Sequence, residues 1–319
     1  MYDVVALGEV LIDFTHLSAD PEGYPTLAAH PGGAPANFLA ALSKFGAKTA
    51  LMAKVGDDAF GTLLRATLEK AGISTAGVVT DPNVFTTLAF VTLDSRGDRD
   101  FSFARKPGAD TCLRPEELDL TLIDRARVFH FGTLSLTHSP AREATMAAVA
   151  HARAAGKLIT FDPNLRPPLW QDLAQAKDWM LWGLEQADVV KISDEEVEFL
   201  FDLPPEEGAQ HILQHFGCQL VFVTCGGAGC VYANPNARGR VPAPQGIAVA
   251  DTTGAGDIFG GSAVWKILRS GARPDGLTGE QLAEIAAFSC TAASLSTTCA
   301  GGISSVPELE DVVRLTKKH

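Results

Sequence analysis

The chain has 319 residues, 46% hydrophobic and 20% charged, with a formal net charge of −12. That length holds a large core in one or two domains, and the acidic balance excludes nucleic acid and anionic membranes as main partners, since both demand basic surface. The six cysteines form no Cys-x-x-Cys pair, which argues against zinc or disulfides and fits reduced, buried thiols of a cytoplasmic protein.

Asp3–Leu7 reads as a strand from the outset. No basic stretch precedes an apolar one and no apolar run is long enough to cross a bilayer, so neither a secretory leader nor a membrane span is expected. Leu11–Leu17 reads as an amphipathic strand, and its Asp13 sits in the apolar run Val10–Phe14. A carboxylate there needs a partner, either sugar hydroxyls or a salt bridge. Pro31-Gly32-Gly33-Ala34-Pro35-Ala36-Asn37 then opens a helix, Ala34–Phe45, stopped at Gly46. Gly32 and Gly33 permit close backbone approach and Asn37 offers an amide. A ligand turn and a plain Gly-Gly turn with a capping Asn both fit.

A second helix, Asp58–Ala71, stops at Gly72. Thr86–Leu93 and Asp100–Phe103, joined by the turn Asp94-Ser95-Arg96-Gly97-Asp98, read as antiparallel hairpin material rather than βαβ. With Leu11–Leu17 they suggest a small β-lid drawn from about residues 11–31 and 84–108 of a single domain spanning 1–319. An edge extension of the main sheet is the alternative.

From about Arg127 the rhythm becomes βαβα: strand Val128–Phe131, a helix opened by Ser139 and Pro140, strand Leu158–Phe161, helix Trp170–Ala187, strand Val189–Ile192, helix Asp194–Phe201 and strand Leu220–Thr224. Short apolar strands alternating with helices mean a parallel sheet covered on both faces. Motifs at carboxyl ends of such strands are candidate ligand sites. Asp162-Pro163-Asn164-Leu165-Arg166 supplies a cation in Arg166, for an anion or for a loop-stapling pair with Asp162. Ser193 and Glu196 make a capping box, and Glu196 could instead organise Mg²⁺ through water. Gly226, Gly227 and Gly229 end a strand in a turn that could cradle nucleotide or simply make a hairpin.

Asp251-Thr252-Thr253-Gly254-Ala255-Gly256-Asp257, ahead of the apolar-periodic Ile258–Leu268, is a tight turn entering a helix. Gly254 and Gly256 let backbone N–H groups approach a ligand, and the first helical turn attracts anions. Asp257 puts a carboxylate beside that site. First-turn stabilisation is one reading; a base that deprotonates a hydroxyl next to a phosphate is the other. No Gly-Lys-Ser/Thr follows, so this is not a P-loop, and Phe259 stands where a dinucleotide fingerprint needs its third glycine.

Together these segments resemble the ribokinase-like carbohydrate kinase family over nearly the whole chain. The Gly32-Gly33-x-x-x-Asn37 segment, with Val55-Gly56-Asp57-Asp58-x-Phe60-Gly61 behind it, is similar to the N-terminal signature, and Asp251–Asp257 to the C-terminal one. The resemblance implies an α/β fold: a three-layer α/β/α sandwich on a mostly parallel sheet, with a small β-sheet lid that often pairs two subunits as a homodimer. ATP would be the donor, with Mg²⁺. Asp257 would be the base, and the amides of Gly254, Ala255, Gly256 and Asp257 the hole for the transferring phosphoryl. Asp13, Gly32, Gly33 and Asn37 would bind the sugar. Ser193, Thr224, Gly226, Gly229, Gly254 and Gly256 would contact ATP. Ser193 stands where the family's Asn-x-x-Glu motif has Asn, leaving Glu196 as the Mg²⁺-linked residue. Asp251, Thr253, Gly301 and Ser305 match a monovalent-cation loop, with K⁺ the expected ion.

Gly8–Phe14, Pro31–Asn37, Asp162–Arg166 and Ser193–Leu200 are most similar to fructokinases. The expected reaction is phosphorylation of fructose at O6. 2-Keto-3-deoxygluconate kinase, which shares Asp-Pro-Asn-x-Arg, is the alternative, with Arg105 and Arg166 facing the substrate carboxylate. Two other classes compete: a sugar- or nucleotide-binding protein that no longer turns over, and a nicotinamide dehydrogenase on a doubly wound sheet.

Overall fold

The structure is a computed structural model that describes residues 1–93 and 99–317. In chain order its strands are β1 (Tyr2–Leu7), β2 (Leu11–Ala19), β3 (Pro25–Gly32), β4 (Thr49–Gly56), β5 (Ile73–Asp81), β6 (Leu88–Leu93), β7 (Arg99–Ala104), β8 (Ala126–Gly132), β9 (Leu158–Asp162), β10 (Val189–Ser193), β11 (Leu220–Thr224), β12 (Cys230–Ala233) and β13 (Arg238–Val241). The helices are α1 (Ala34–Lys44), α2 (Ala59–Lys70), α3 (Thr121–Asp124), α4 (Ala141–Ala154), α5 (Leu173–Gln186), α6 (Asp194–Phe201), α7 (Pro205–Phe216), α8 (Ala255–Ser270), α9 (Gly279–Ser296) and α10 (Leu309–Thr316).

Among the described residues a nine-stranded sheet runs β13-β12-β11-β10-β9-β8-β1-β4-β5, parallel from β11 to β5 and antiparallel at β12 and β13. Alternation along each strand feeds two cores. Val5 and Leu7 of β1 join Phe129, Phe131, Val190 and Ile192 under α4 to α7, whereas Val4 and Ala6 face α1 and α2. Leu220 and Phe222 of β11 pack beneath α8 and α9. The result is the expected three-layer α/β/α sandwich.

A separate four-stranded sheet has the order β3-β2-β6-β7. Its hairpin pairs are antiparallel as expected, but β2 joins β6 in parallel. The turn Asp94–Asp98 lies outside the described residues. The first third also holds parallel β4 and β5, joined through α2, which the reading of that region as hairpin material leaves out. The reason is Lys54. It interrupts a strand buried along its whole length, and it is accommodated by ion pairs to Asp81 at 2.9 Å and Glu117 at 2.8 Å.

The punctuation of the helices follows from local chemistry. Gly46 and Gly72 adopt φ values of 89° and 78° after α1 and α2. Asp58 accepts from the amides of Phe60 and Gly61 and caps α2 rather than belonging to it. Asp172, not Trp170, marks the start of α5. Ser139 does not cap α4; its hydroxyl donates to Glu143 instead.

Candidate active site

The site is built where β-strand ends meet the first turn of α8. Gly254 occupies the N-cap of α8 with φ 76°, and no side chain caps the helix. The first-turn amides therefore face the cleft, and the macrodipole adds positive potential. Space is tight at this glycine. A Cβ on Gly254 would lie 3.0 Å from Gly302 Cα and 3.1 Å from Asn37 Nδ2.

Asp257 projects from this turn and is only 8% exposed. Asn37, in the first turn of α1, donates from Nδ2 to Asp257 Oδ2 at 2.9 Å. Burial pushes the Asp257 carboxyl above its ordinary range, opposed by the Asn37 bond and by the Lys191 and Arg166 cations. A carboxylate held this way is a stronger base than an exposed aspartate and is already oriented.

Asp13 lies across the cleft on β2. A Cβ on Gly32 would overlap the Asp13 carboxylate, so that glycine makes room for the side chain. Burial pushes the Asp13 carboxyl up to about 7, resisted by Arg166 and reinforced by Asp257 and Asp251. Glu9, between β1 and β2, is buried and raised to about 7 mainly by burial, and it accepts from Ala34 N at 2.9 Å. That bond fixes the turn at Gly33, whose φ is 113° and where a Cβ would come within 2.5 Å of Glu9 O.

Ser193 at the end of β10 sits directly across from Thr224 at the end of β11. Ser193 Oγ accepts from Glu196 N at 3.1 Å, while Glu196 returns Oε2 to Ser193 N at 2.8 Å and Oε1 to Leu165 N at 2.7 Å. The capping box is therefore real. Each Glu196 oxygen accepts one backbone N–H and keeps a further lone pair for another donor, such as a metal-bound water. Among the described residues no group of three or more His, Cys, Asp or Glu side chains could cage a metal by itself.

On the far side of the α8 turn, Asp251 Oδ1 accepts from Thr253 N and Oγ1 at 2.9 and 2.7 Å, and Oδ2 from Gly301 N at 3.0 Å. Ser305 donates to Gly302 O at 2.9 Å.

Two cavities meet at this junction and share Thr224, Thr252 and Gly256. One, of about 570 Å³, is lined by Asp13, Gly33, Asn37, Arg166 and Asp257, with Phe103 reaching over from the small sheet. The other, of about 390 Å³, is bounded by Gly226, Gly229, Ala243, Ile247, Cys290 and Ala293. A polar chamber thus opens into a more apolar slot, with the amide turn between them.

The profile of the pfkB family carbohydrate kinases matches residues 1–309. The chain belongs to the pfkB family of carbohydrate kinases. It is 40% identical over 318 residues to probable fructokinase-4 of Arabidopsis thaliana, covering 98% of this chain and 96% of that one. Its structure superposes on the fructokinase of Xylella fastidiosa with bound ATP at a TM-score of 0.90 and 30% identity, covering 100% and 99% of the two chains. The fructokinase of Vibrio cholerae in its fructose-, ADP- and calcium-bound form follows at 0.85 and 29%, covering 99% of each.

Within this pfkB kinase the cleft gathers Asp13, Gly33, Asn37, Arg166, Ser193, Thr224, Gly226, Gly229, Gly254, Gly256 and Asp257 from six separate segments. Gly32 stands behind Asp13 instead of lining the chamber. Arg105 requires correction. It is 4% exposed and turned into the protein, where Nε donates to Asp110 at 2.8 Å, Nη1 to Thr137 at 2.9 Å and Nη2 to Leu134 O at 2.9 Å. Its guanidinium is paired with Asp110 inside the protein and does not line the cleft. Glu9 and Lys191 line the chamber and are missing from the sequence reading, as is the 243–249 wall of the slot. A glutamate after a strand end and a lysine inside an apolar strand were the only signals.

Proposed function

We propose that this pfkB kinase transfers the γ-phosphoryl of ATP to the primary O6 hydroxyl of fructose, giving fructose 6-phosphate and ADP. The observation that carries the reading is the Asp257 carboxylate, oriented by Asn37, on an uncapped helix turn between a polar chamber and an apolar slot. Asp13, Gly33, Asn37 and Arg166 hold the sugar, and Asp257 takes the O6 proton. The amides of Gly254, Ala255, Gly256 and Asp257 receive the charge of the transferring phosphoryl, where positioning and electrostatics do most of the work. ATP enters through the slot over Ser193, Thr224, Gly226 and Gly229 and brings Mg²⁺, which Glu196 meets through water. Asp251, Thr253, Gly301 and Ser305 form the monovalent-cation loop, with K⁺ the expected ion.

The relatives named as fructokinases support fructose as acceptor. The geometry adds an argument against the 2-keto-3-deoxygluconate alternative. With Arg105 consumed by Asp110, Arg166 stands against both Asp13 and Asp257, a poor setting for a substrate carboxylate. We further infer that residues 1–319 act as one unit with the small sheet as its lid, that two copies pair through the lid, and that the protein works in the cytoplasm. No helix among the described residues is long and apolar enough to cross a membrane, and the six cysteines are unpaired.

The test is an ADP-release assay with Mg·ATP against fructose, 2-keto-3-deoxygluconate, ribose, glucose and adenosine, each with and without K⁺. Turnover with fructose, stimulated by K⁺, is expected. Turnover with the keto acid alone would replace fructose while keeping the mechanism. Binding without ADP release would overturn the enzyme reading.

A further inference from the structure

Lys191 lies on β10, on the same face as Val189, which packs in the core under α8 and α9, and Ser193, which stands at the cleft mouth. Its Nζ rises beneath the amide turn, where a Cβ added to Gly256 would meet it at 2.9 Å. Its side chain is 13% exposed, and that exposure opens into the chamber that holds Asp257, Asn37 and Gly254. Asp162, at the end of neighbouring β9, binds Nζ at 3.0 and 3.3 Å through its two oxygens. Glu196 and Asp257 are the other charges it feels. Burial works against the ammonium, but Asp162, Glu196 and Asp257 outweigh it and hold Lys191 above the ordinary lysine range.

A buried ion pair alone is a weak stabilising device, since an apolar pair of similar volume often does as well. A cation that opens toward a phosphate-transfer site, behind amides already aimed there, has a chemical use. We propose that Lys191 is the charge-stabilising residue of phosphoryl transfer, its ammonium donating to oxygens of the transferring group while Asp162 holds it in place. The inference rests on the kinase reading given above. In the step, the sugar hydroxyl oxygen bonds to the γ-phosphorus as the bond to the β–γ bridging oxygen breaks. The hydroxyl proton passes to Asp257, ADP leaves with the bridging electron pair, and Lys191 keeps its proton throughout.

The experiment compares wild type, Lys191→Met, Lys191→Arg and the double variant Lys191→Met/Asp162→Asn. It measures steady-state kinetics with fructose and the affinity of each protein for ADP with and without aluminium fluoride, in the presence of Mg²⁺ and fructose. Lys191→Met is expected to lower kcat about 10²–10³-fold, the usual worth of one preorganised donor, with fructose KM and ADP affinity changed less than about threefold. Affinity for the ADP–aluminium fluoride state should fall in step with kcat. Lys191→Arg should recover part of both losses. The double variant removes the buried unpaired carboxylate that Lys191→Met leaves, which guards against misfolding, and should remain as slow as the single. Recovery of wild-type kcat in the double variant would overturn the proposal, because Lys191 would then serve only to neutralise Asp162. Near-wild-type turnover by Lys191→Met would overturn it as well. A wild-type protein that phosphorylates no sugar would remove the kinase reading and this inference with it.

Discussion

Two carboxylates face each other across the chamber, and burial raises both, with different consequences. Asp257 needs its negative charge to accept a proton, and burial makes it a better base. Asp257→Asn is expected to lower kcat by about 10²–10⁴ while the melting temperature holds or rises, because a buried charge is removed. Wild-type-like turnover in an ADP-release assay would exclude Asp257 as the base. Asp13 has a folded-state pKa of about 7 against an ordinary 3.8, so the folded protein binds its proton more tightly than the unfolded chain does. Its stabilising contribution is complete below the ordinary value and is lost as pH rises through about 7. Asp13→Asn should therefore melt higher than wild type at pH 8, with the difference shrinking as pH falls toward 4. The same variant should raise fructose KM. Melting curves from pH 4.5 to 8 check the first part, and a pH-independent difference would contradict the burial of this carboxyl.

At the scale of elements, Asp58 links three pieces of the fold. It caps α2 through Phe60 and Gly61, and its Oδ2 accepts from Thr86 N at 2.8 Å, at the entry to β6 of the small sheet. Burial opposes its charge, but the Thr86, Gly61 and Phe60 amides prevail and lower its pKa, so this contribution is present above pH 4 and lost as pH falls further. Asp58→Ala should destabilise by about 1–2 kcal/mol, as cap removals do, and raise fructose KM more than ATP KM because the small sheet loses an anchor. Urea unfolding and paired kinetics test this; equal KM changes would argue against the coupling. Such caps and glycine stops are local signals, which is why α1, α2 and α6 were legible from sequence. So was the α8 turn, whose glycines and carboxylate are contiguous. Arg105 was misread because its partners Asp110 and Thr137 meet it only in the folded chain. Lys54 and Lys191 are lysines in buried strands. Nothing in the run around either shows the carboxylates on neighbouring strands and loops that make burial tolerable. The 243–249 wall has no periodicity to read, because it is a largely exposed loop with no helix or strand along it.

At the scale of the whole molecule, the two sheets divide the labour. The large sheet delivers the ends of β10 and β11 to the α8 turn, and the small sheet brings Asp13 and Phe103 over the polar chamber. The small sheet has its own liability. β3 and β7 are both edge strands, and the β2–β3 ribbon leaves Leu17 64% and Tyr24 69% exposed, with Leu27 beside them. Exposed apolar side chains on a ribbon with an open edge invite a second copy, which would bury them and stiffen the roof of the sugar chamber. Wild type is therefore expected to sediment as a dimer. The double variant Leu17→Asp/Leu27→Asp should sediment as a monomer, with fructose KM raised about tenfold and ADP affinity unchanged, since the slot lies on the large sheet. Sedimentation velocity and binding measurements on the same samples decide the matter. A wild-type monomer at micromolar concentration would leave those side chains without a partner copy. A monomeric variant with unaltered fructose KM would separate pairing from sugar binding.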